Sequence, residues 1–285
     1  DAHMHQPDVQ MVAVCDVVKG ARENAKGIVE KYYADKGGNG KGCQAYADFR
    51  ELVKRKDIDA VVCGTPDHWH GLVSIAAANS GKDIYCEKPL VNVIAEGRAV
   101  CDAVKKHKRV LQCGSMERSN GNGRYAAELV RNGRIGKLHT IEINLPTTDG
   151  HHTQAKAVNE IPAAEPIPEG LDYEFWLGPT PEAPYSKLRL PFWWRFILAY
   201  GGGEMTDRGA HVIDLAQLGN GTDDTGPIEL KAEGERNSKS IYDTFWKYKF
   251  ECQYANGVKM IGKSGGDRGL KFIGTEGWIF VAVHG

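Results

Sequence analysis

The sequence lacks the features that place a chain in a membrane or on a polyanion. No apolar run reaches the roughly 18 residues that a membrane-spanning helix needs, and the first ten residues have neither the basic start nor the apolar run of a signal peptide. The 36 Lys and Arg residues nearly balance 37 Asp and Glu residues. Because nucleic acids and acidic lipids demand a basic surface, we expect neither partner. For the cellular location, the cytoplasm is favoured, with the periplasm as the alternative if a signal segment has been removed.

Paired cysteines are also lacking. The seven cysteines are odd in number and form no CxxC motif, so we predict neither a disulfide framework nor a metal site. His68 and His70 have no third metal ligand at a typical spacing nearby. Four cysteines lie in or at the end of apolar runs and are predicted to pack in the core: Cys15, Cys63, Cys86 and Cys113.

Short apolar runs alternate with helical patterns over the first 115 residues. The predicted strands are Val9–Cys15, Ile58–Gly64, Asp83–Cys86 and Arg109–Cys113. The predicted helices are Ala21–Tyr33, Phe49–Lys56, His70–Asn79 and Ala95–His107. Strands that are apolar throughout suit a sheet covered on both faces, and alternation with helices indicates a parallel sheet. We predict an α/β domain over residues 1–117.

The remaining residues, 118–285, have a different pattern. The predicted helices are Gly123–Asn132 and Met205–Leu218, and the Pro-rich stretch Ile161–Pro191 is predicted to be irregular. The predicted strands are Leu138–Leu145, Ile228–Glu233, Thr244–Tyr254, Lys259–Lys263 and Lys271–Ile273. We predict an α+β domain with a large, mostly antiparallel open sheet, one face of which is solvated or covered by a partner.

Asp16 stands between a predicted strand and a predicted helix. A carboxylate there can accept hydrogen bonds from an adenosine ribose, or it can simply cap the helix. The glycine-rich phosphate loop that should precede it by about 20 residues is not in the sequence, and Gly37–Gly42 has the wrong spacing and is predicted to be a loop. A parallel sheet without its central first strand would expose an apolar edge. We therefore expect that a first strand and its loop are missing from this sequence.

Two polar motifs follow predicted strands. Residues 64–70 are GTPDHWH, and residues 85–89 are YCEKP. An isolated lysine charge at the end of a buried strand would be costly, which makes Lys88 a candidate for proton transfer. The alternative is an ordinary exposed lysine.

A third motif, GGGEMTDRGAHVID, covers residues 201–214. Its triple glycine permits a tight turn and a close approach to a ligand. Asp207, His211 and Asp214 are spaced i, i+4, i+7, so one helix face would carry all three. An imidazole held by a carboxylate one turn away is a workable general base, although the same spacing suits a solvent-facing polar helix.

Together these motifs resemble the Gfo/Idh/MocA oxidoreductase family. The likeness rests on GTPDHWH, YCEKPL and GGGEMTDRGAHVID, supported by EGLDYEFWLGPTP and WWRF, and it spans essentially the whole chain. The DHWH variant is similar to a bacterial branch that acts on sugars and glycosides. The resemblance implies a Rossmann-type domain that binds NAD, or NADP, and oxidation of a sugar, polyol or glycoside hydroxyl at the domain interface. It also implies a homodimer or homotetramer formed through the open sheet.

The resemblance assigns roles to individual residues. Lys88 and His211 would hydrogen-bond the reacting hydroxyl, His211 would take its proton, and Asp207 would orient or tune that base. Substrate contacts are implied for Lys88, Trp194, Arg195, Asp207 and His211. Cofactor contacts are implied for Asp16, Thr65, Pro66, Asp67, His70, Glu87 and Lys88. Lys88–Pro89 is a candidate cis peptide.

Departures from the family pattern leave other functions open. Arg208 stands where the branch more often has an aromatic residue, and the chain stops at Val281–Gly285, where relatives usually continue. One alternative is an NAD-dependent redox glycosidase, which oxidises a hydroxyl transiently and then eliminates the leaving group. Another is a non-catalytic sensor that binds NAD or sugar. Asp16 favours NAD over NADP, since a carboxylate would repel a 2′-phosphate.

Overall fold

A computed structural model describes residues 2–38 and 40–283, so Asp1, Asn39 of the predicted glycine loop and the last two residues lie outside the described residues. Contacts divide the chain into two units. The first comprises Asp1–Cys86, Val93–Gln112 and Ala163–Ser186, and the second comprises Glu87–Asn92, Cys113–Pro162 and Lys187–Gly285. The short segment that carries Lys88 is thus part of the second unit. None of the helices in the described ranges is long and apolar enough to cross a membrane.

The first unit alternates short strands with longer helices. Its strands are β1 (Ala13–Cys15), β2 (Gln44–Tyr46), β3 (Ala60–Cys63), β4 (Asp83–Cys86) and β5 (Leu111–Cys113). The helices that follow these strands are α1 (Lys19–Asp35), α2 (Phe49–Leu52), α3 (Asp67–Asn79) and α4 (Ile94–His107). The α3 helix begins directly after Pro66, and Asp67 in its first turn is favourable because a helix N-terminus carries partial positive charge. The α/β character of this unit is confirmed.

The five strands form two sheets. β1 pairs in parallel with β2, while β4 lies between β3 and β5 in the other sheet. β3 and β4 are parallel, and Cys63 is the register partner of Cys86 at their carboxyl ends. The predicted parallel pairing is therefore confirmed, although β2 was not predicted.

The strands of the first unit are less buried than their apolar sequences suggest. Val62 in β3 is 46% exposed, and of that strand only Cys63 is buried. Cys63 and Cys86 are buried as predicted, whereas Cys15 is exposed and Cys113 is half-buried. The core prediction was wrong for Cys15 and Cys113 because β1 and β5 each have a described neighbour on one side only.

The second unit is built on a six-stranded sheet. Its strands are β6 (Leu138–Asn144), β7 (Glu229–Arg236), β8 (Phe245–Gln253), β9 (Lys259–Lys263), β10 (Gly269–Gly274) and β11 (Trp278–Ala282). They lie in the order β11-β10-β6-β9-β8-β7, and every pairing except the parallel β6–β9 pair is antiparallel. The predicted mostly antiparallel sheet is confirmed, with β11 as an additional strand.

Helices cover one face of this sheet. The unit contains α5 (Gly121–Arg131), α6 (Gly150–Ala157) and α8 (Arg208–Asn220), while α7 (Tyr173–Leu177) belongs to the first unit. Val130 of α5 and Leu215 of α8 share one apolar cluster with Ile141, Phe250 and Phe272 of the sheet. This cluster fixes α8, the helix that carries His211, on the sheet.

The opposite face of the sheet is open. Lys247 and Lys249 of β8 form ion pairs with Glu235 and Glu233 of β7. Three apolar side chains are exposed on the same face, at 39%, 61% and 40%: Ile261, Trp278 and Phe280. Both the charges and the apolar groups are therefore available to solvent or to a partner.

The Pro-rich stretch predicted to be irregular contains α7 and is anchored to the first unit. Asp172 caps this helix by accepting the backbone N–H of Phe175. His68 Nε2 and Trp69 Nε1 each lie 2.9 Å from the carbonyl oxygen of Trp176. His68 and Trp69 of the DHWH motif thus hold this segment in place.

Candidate active site

Lys88 and Asp207 form an ion pair in the second unit. The Nζ of Lys88 lies 2.6 Å from Oδ1 of Asp207 and 3.0 Å from the Asp207 carbonyl oxygen. The two side chains are 19% and 20% exposed. The Lys88–Pro89 peptide bond is cis, as predicted. A charge pair that is mostly buried but still reached by solvent offers a donor and an acceptor to a hydroxyl group.

Asp207 is surrounded by positive charge. Burial alone would raise its pKa, but Lys88, Arg195 and Arg208 outweigh burial, so the pKa of Asp207 lies below the ordinary carboxyl value. The Nε of Arg195 is 3.8 Å from Asp207 Oδ1. Asp207 is therefore a fixed negative charge at neutral pH, and it holds the ammonium group of Lys88.

The predicted helix face is only partly present. Asp207 is the N-cap of α8, with φ −77° and ψ −82°, and lies outside the helix, so the prediction that it shares a helix face was wrong. His211 lies one turn inside α8 and is 5% exposed. Asp214 contacts Arg118, whose Nε and terminal nitrogen lie 2.6 and 2.7 Å from the carboxylate. Asp207 and His211 therefore bracket the first turn of α8, whereas Asp214 joins α8 to the turn containing Arg118.

Trp194 and Arg195 lie in the 3₁₀ turn Trp193–Phe196. The guanidinium of Arg195 lies over the rings of Trp194 and Phe192, 4.4 and 4.7 Å from their centroids. Trp194 is only 7% exposed. Trp194 therefore supports the guanidinium of Arg195. Of these two predicted substrate residues, only Arg195 lies close to Asp207 among the described contacts.

The triple glycine shapes the turn that leads into α8. Gly203 has φ +65°, and a Cβ at that position would lie 2.8 Å from Oγ1 of Thr244. The N–H of Gly202 donates to Oγ1 of Thr206 at 2.8 Å. The backbone at Gly203 does approach another group closely, but that group is the side chain of Thr244 and not a ligand.

A buried ionic network beside Asp207 was not predicted. Glu204 is 1% exposed, and its Oε2 lies 3.0 Å from His152 Nε2 and 3.1 Å from a guanidinium nitrogen of Arg208. Arg208 and Arg268 also contact Asp149, at 3.0 and 2.8 Å. Two guanidinium groups thus face two carboxylates. The i, i+4 spacing of Glu204 and Arg208 was the available signal, while His152, Asp149 and Arg268 are too distant along the chain to give one.

Five of the predicted cofactor residues lie in the first unit: Asp16, Thr65, Pro66, Asp67 and His70. Asp16 follows β1, and its Oδ1 accepts the N–H of Val18 at 2.8 Å. Thr65 is exposed, whereas Asp67 and His70 are buried in the first turn of α3. The Nε2 of His70 is 2.8 Å from the carbonyl oxygen of Thr65. His70 therefore supports the loop after β3 from the inside, while Thr65 remains exposed to solvent with its hydroxyl next to the sulfur of Cys63.

Glu87, the remaining predicted cofactor residue besides Lys88, belongs to the second unit. The N–H of Lys88 lies 3.4 Å from Glu87 Oε2. A Cβ at Gly114 would lie 2.7 Å from the same carboxylate oxygen. The glycine at position 114 thus gives the Glu87 carboxylate room beside Lys88.

Two sequence models of one family match the chain. Residues 1–115 match the model described as the NAD-binding Rossmann fold of the oxidoreductase family. Residues 122–284 match the C-terminal alpha/beta domain of the same Gfo/Idh/MocA family. Together the two matches include both halves of the chain.

Curated relatives include two sugar or polyol dehydrogenases by name. The chain is 30% identical over 167 residues to inositol 2-dehydrogenase from Salmonella typhimurium, covering 58% of this chain and 45% of the relative. It is 28% identical over 172 residues to levoglucosan dehydrogenase from Pseudarthrobacter phenanthrenivorans, covering 60% of this chain and 35% of the relative. The matched part of the chain spans less than half the length of these relatives.

Solved structures share the fold. The WlbA dehydrogenase from Chromobacterium violaceum, in complex with NADH and UDP-GlcNAcA, has a TM-score of 0.68 and 17% identity over 95% of this chain and 65% of that chain. Myo-inositol 2-dehydrogenase from Lactobacillus plantarum has a TM-score of 0.65 and 21% identity, with coverage of 98% and 71%. At these identities the likeness shows the fold alone. The family matches over residues 1–115 and 122–284 show that the chain belongs to the Gfo/Idh/MocA oxidoreductase family.

Proposed function

We propose that the chain is part of a dehydrogenase that transfers a hydride from a hydroxyl group of a sugar, polyol or glycoside to NAD. The observation that carries this proposal is the ion pair between Lys88 and Asp207, 2.6 Å apart. Lys88 lies in the motif on which the family likeness rests. A hydroxyl group can accept a hydrogen bond from the ammonium and donate one to a carboxylate or imidazole, so this pair suits a polyhydroxylated substrate.

In the proposed mechanism, Lys88 donates a hydrogen bond to the reacting oxygen, and Asp207 keeps the ammonium oriented. His211 takes the hydroxyl proton. Positive charge on Lys88 stabilises the alkoxide character that develops on the oxygen. Arg195, supported by Trp194, donates to a neighbouring substrate hydroxyl. Bound NAD supplies the hydride acceptor.

We also propose that NAD binds at strand ends, through Asp16, Thr65, Pro66, Asp67, His70, Glu87 and Lys88. The residues fit such a group, because ligands of parallel α/β sheets bind beyond the carboxyl ends of the strands. Asp16 follows β1, and its Oδ1 accepts the N–H of Val18 at 2.8 Å; a carboxylate at the end of this strand can also accept hydrogen bonds from a ribose. Its negative charge favours NAD over NADP. The proposed domain limits are residues 1–117 for cofactor and 118–285 for substrate and assembly.

Substitution of the two proposed proton-handling residues tests the activity. We expect Lys88→Ala and His211→Ala to abolish NADH formation on a panel of inositols, sugars and glycosides, measured by nicotinamide absorbance. The matched controls are Lys105→Ala and His139→Ala, which alter exposed side chains and should keep parental turnover. Preserved turnover in both Lys88→Ala and His211→Ala would refute the proposal.

The same assay separates the alternatives. Hydrolysis of an aryl glycoside without net NADH formation would identify a redox glycosidase. Binding of NADH, seen by fluorescence, without turnover of any panel member would identify a sensor. Either result contradicts the proposed dehydrogenase.

The open face of the six-stranded sheet is the proposed assembly surface. It combines exposed Ile261, Trp278 and Phe280 with rows of charged residues. Interfaces combine apolar and aromatic groups with a polar rim, and closed symmetric assemblies are the commonest oligomers. We propose that a second copy of the chain covers this face, giving a homodimer or, by further pairing, a homotetramer.

A further inference from the structure

Two cysteines and one histidine meet inside the first unit. Cys63, His70 and Cys86 are all buried, and one ligand atom from each lies within 4.8 Å of the other two. Their exposed fractions are 2%, 1% and 0%. The two thiols and the imidazole therefore form a closely grouped set of sulfur and nitrogen donors with little access to solvent.

The secondary structure explains why these residues meet. Cys63 and Cys86 end the neighbouring parallel strands β3 and β4 and are register partners, so their side chains point to the same side of the sheet. The chain then turns through Thr65 and Pro66 into α3, and His70 lies in the first turns of that helix. The contacts of α3 with β3 and β4 hold the imidazole over the two strand ends.

His70 is held in an orientation that suits a ligand. Its Nε2 lies 2.8 Å from the carbonyl oxygen of Thr65, so Nε2 donates a proton to that oxygen and Nδ1 is the ring nitrogen that would bind a metal ion. Histidines that bind metals usually donate the other ring N–H to a carboxylate or backbone carbonyl in this way. Thr65 also contacts Cys63, with Oγ1 3.5 Å from the sulfur.

We propose that Cys63, His70 and Cys86 form a binding site for a soft divalent metal ion, with Zn²⁺ as the natural occupant. Thiolate and imidazole are the ligands that zinc prefers, and three protein ligands leave one position of a tetrahedral ion open. Binding would release the thiol protons of Cys63 and Cys86 and join β3, β4 and α3 around one ion. The site shares His70 with the proposed NAD contacts but rests on the geometry of the three ligands alone, so its test does not depend on turnover.

Titration with Co²⁺ as a spectroscopic probe tests the site on the full chain under reducing conditions. We expect one Co²⁺ per chain to give thiolate-to-cobalt charge-transfer absorption and tetrahedral visible bands, which one equivalent of Zn²⁺ then bleaches. Cys63→Ala and Cys86→Ala should each weaken Co²⁺ binding by about tenfold or more. Cys252→Ala and Cys43→Ala, which remove buried thiols elsewhere, should bind as the parent does.

Absence of the bands in the parent would overturn the proposal, as would bands that persist in Cys63→Ala and Cys86→Ala. Should those variants fail to fold, alkylation of the unaltered chain gives a second test. Zn²⁺ should slow alkylation of Cys63 and Cys86 about tenfold or more relative to the metal-free chain, with peptides resolved by mass spectrometry. Exposed Cys101 should react at the same rate with and without Zn²⁺. Equal rates at Cys63 and Cys86 would also overturn the proposal.

Discussion

At the scale of single residues, the chemistry of the second unit depends on the charge of Asp207. Lys88 and Arg195 both lie within 4 Å of its Oδ1. A partly buried charge that loses its partner is expensive. Neutralising Asp207 therefore leaves two positive side chains near one another without their shared counter-charge.

Replacing Asp207 with asparagine should make the free energy of unfolding depend less on pH in acid. The folded-state pKa of Asp207 is lowered from 3.8, so the ionised group stabilises the fold above about pH 4, and this contribution is lost as the pH falls through the folded-state pKa. Asp207→Asn lacks the contribution at every pH, so its free energy of unfolding should fall less steeply as the pH drops below about 4. Urea unfolding at stepped pH measures this slope. Asp224→Asn, an exposed control, should keep the parental slope, and an unchanged slope in Asp207→Asn would contradict the argument.

Arg118 gives a contrasting prediction, because its role is structural. It contacts Asp214 through two nitrogens and Asp223 through one of them, at 2.9 Å. Arg118→Lys keeps the charge but loses the two-pronged contact. Since Arg118 is 35% exposed, we expect a loss of about 1 kcal/mol or less in the free energy of unfolding, with unchanged turnover. A strong loss of turnover at full stability would place Asp214 in the reaction after all.

The sequence predicted Lys88 from its place at a strand end and Asp207 from its spacing to His211, but only the family likeness predicted that Lys88 and Asp207 belong to one site. They are 119 positions apart, and no helix or strand period reaches that far. Asp214 illustrates the limit of spacing: its i, i+7 relation to Asp207 is real, but an arginine from another segment holds its carboxylate.

At the scale of elements, α8 lies close to the sheet because Gly219 has no side chain. A Cβ at Gly219 would lie 2.3 Å from the ring of Phe272 in β10. Both residues are buried. The helix therefore approaches the strand more closely than any residue with a Cβ would allow.

Gly219→Ala should destabilise the protein despite the higher helix propensity of alanine. Overpacking against a buried ring costs about 1–3 kcal/mol, while the gain in propensity is about 1 kcal/mol. Gly27→Ala in α1 is the matched control, since a Cβ there meets nothing within 4 Å, and it should stabilise by about 0.5–1 kcal/mol. Thermal unfolding of both variants measures the difference. A Gly219→Ala variant as stable as the parent would show that Phe272 moves aside at no cost.

Elements with a clear apolar pattern could be predicted from the sequence, and elements without one could not. The predicted strands Asp83–Cys86 and Lys259–Lys263 match β4 and β9 residue for residue. The three-residue β2 was missed because so short a strand has no detectable period. The five-residue α7 was missed among prolines, although Asp172 is an N-cap signal that could have located it.

At the scale of the whole molecule, the open face of the six-stranded sheet gives a prediction about assembly. We expect Ile261→Lys and Phe280→Lys to shift the protein toward monomers, because each places a charge within an apolar part of the proposed interface. Light scattering after size exclusion measures the mass. Ile94→Lys alters a side chain that is 93% exposed in the first unit and should leave the mass unchanged. A monomeric parent would remove the assembly proposal.

The strand order has a consequence for which part of the protein unfolds first. Among the described strands of the first unit, only β4 has a partner on both sides, whereas four of the six strands of the second unit do. Amide hydrogens in doubly flanked strands exchange with deuterium most slowly, since release requires the largest cooperative opening. The amides of β6, β8, β9 and β10 should therefore keep their protons long after β1 and β2 have exchanged theirs, so partial unfolding would release strands of the half proposed to hold the cofactor before those of the half proposed to hold the alcohol.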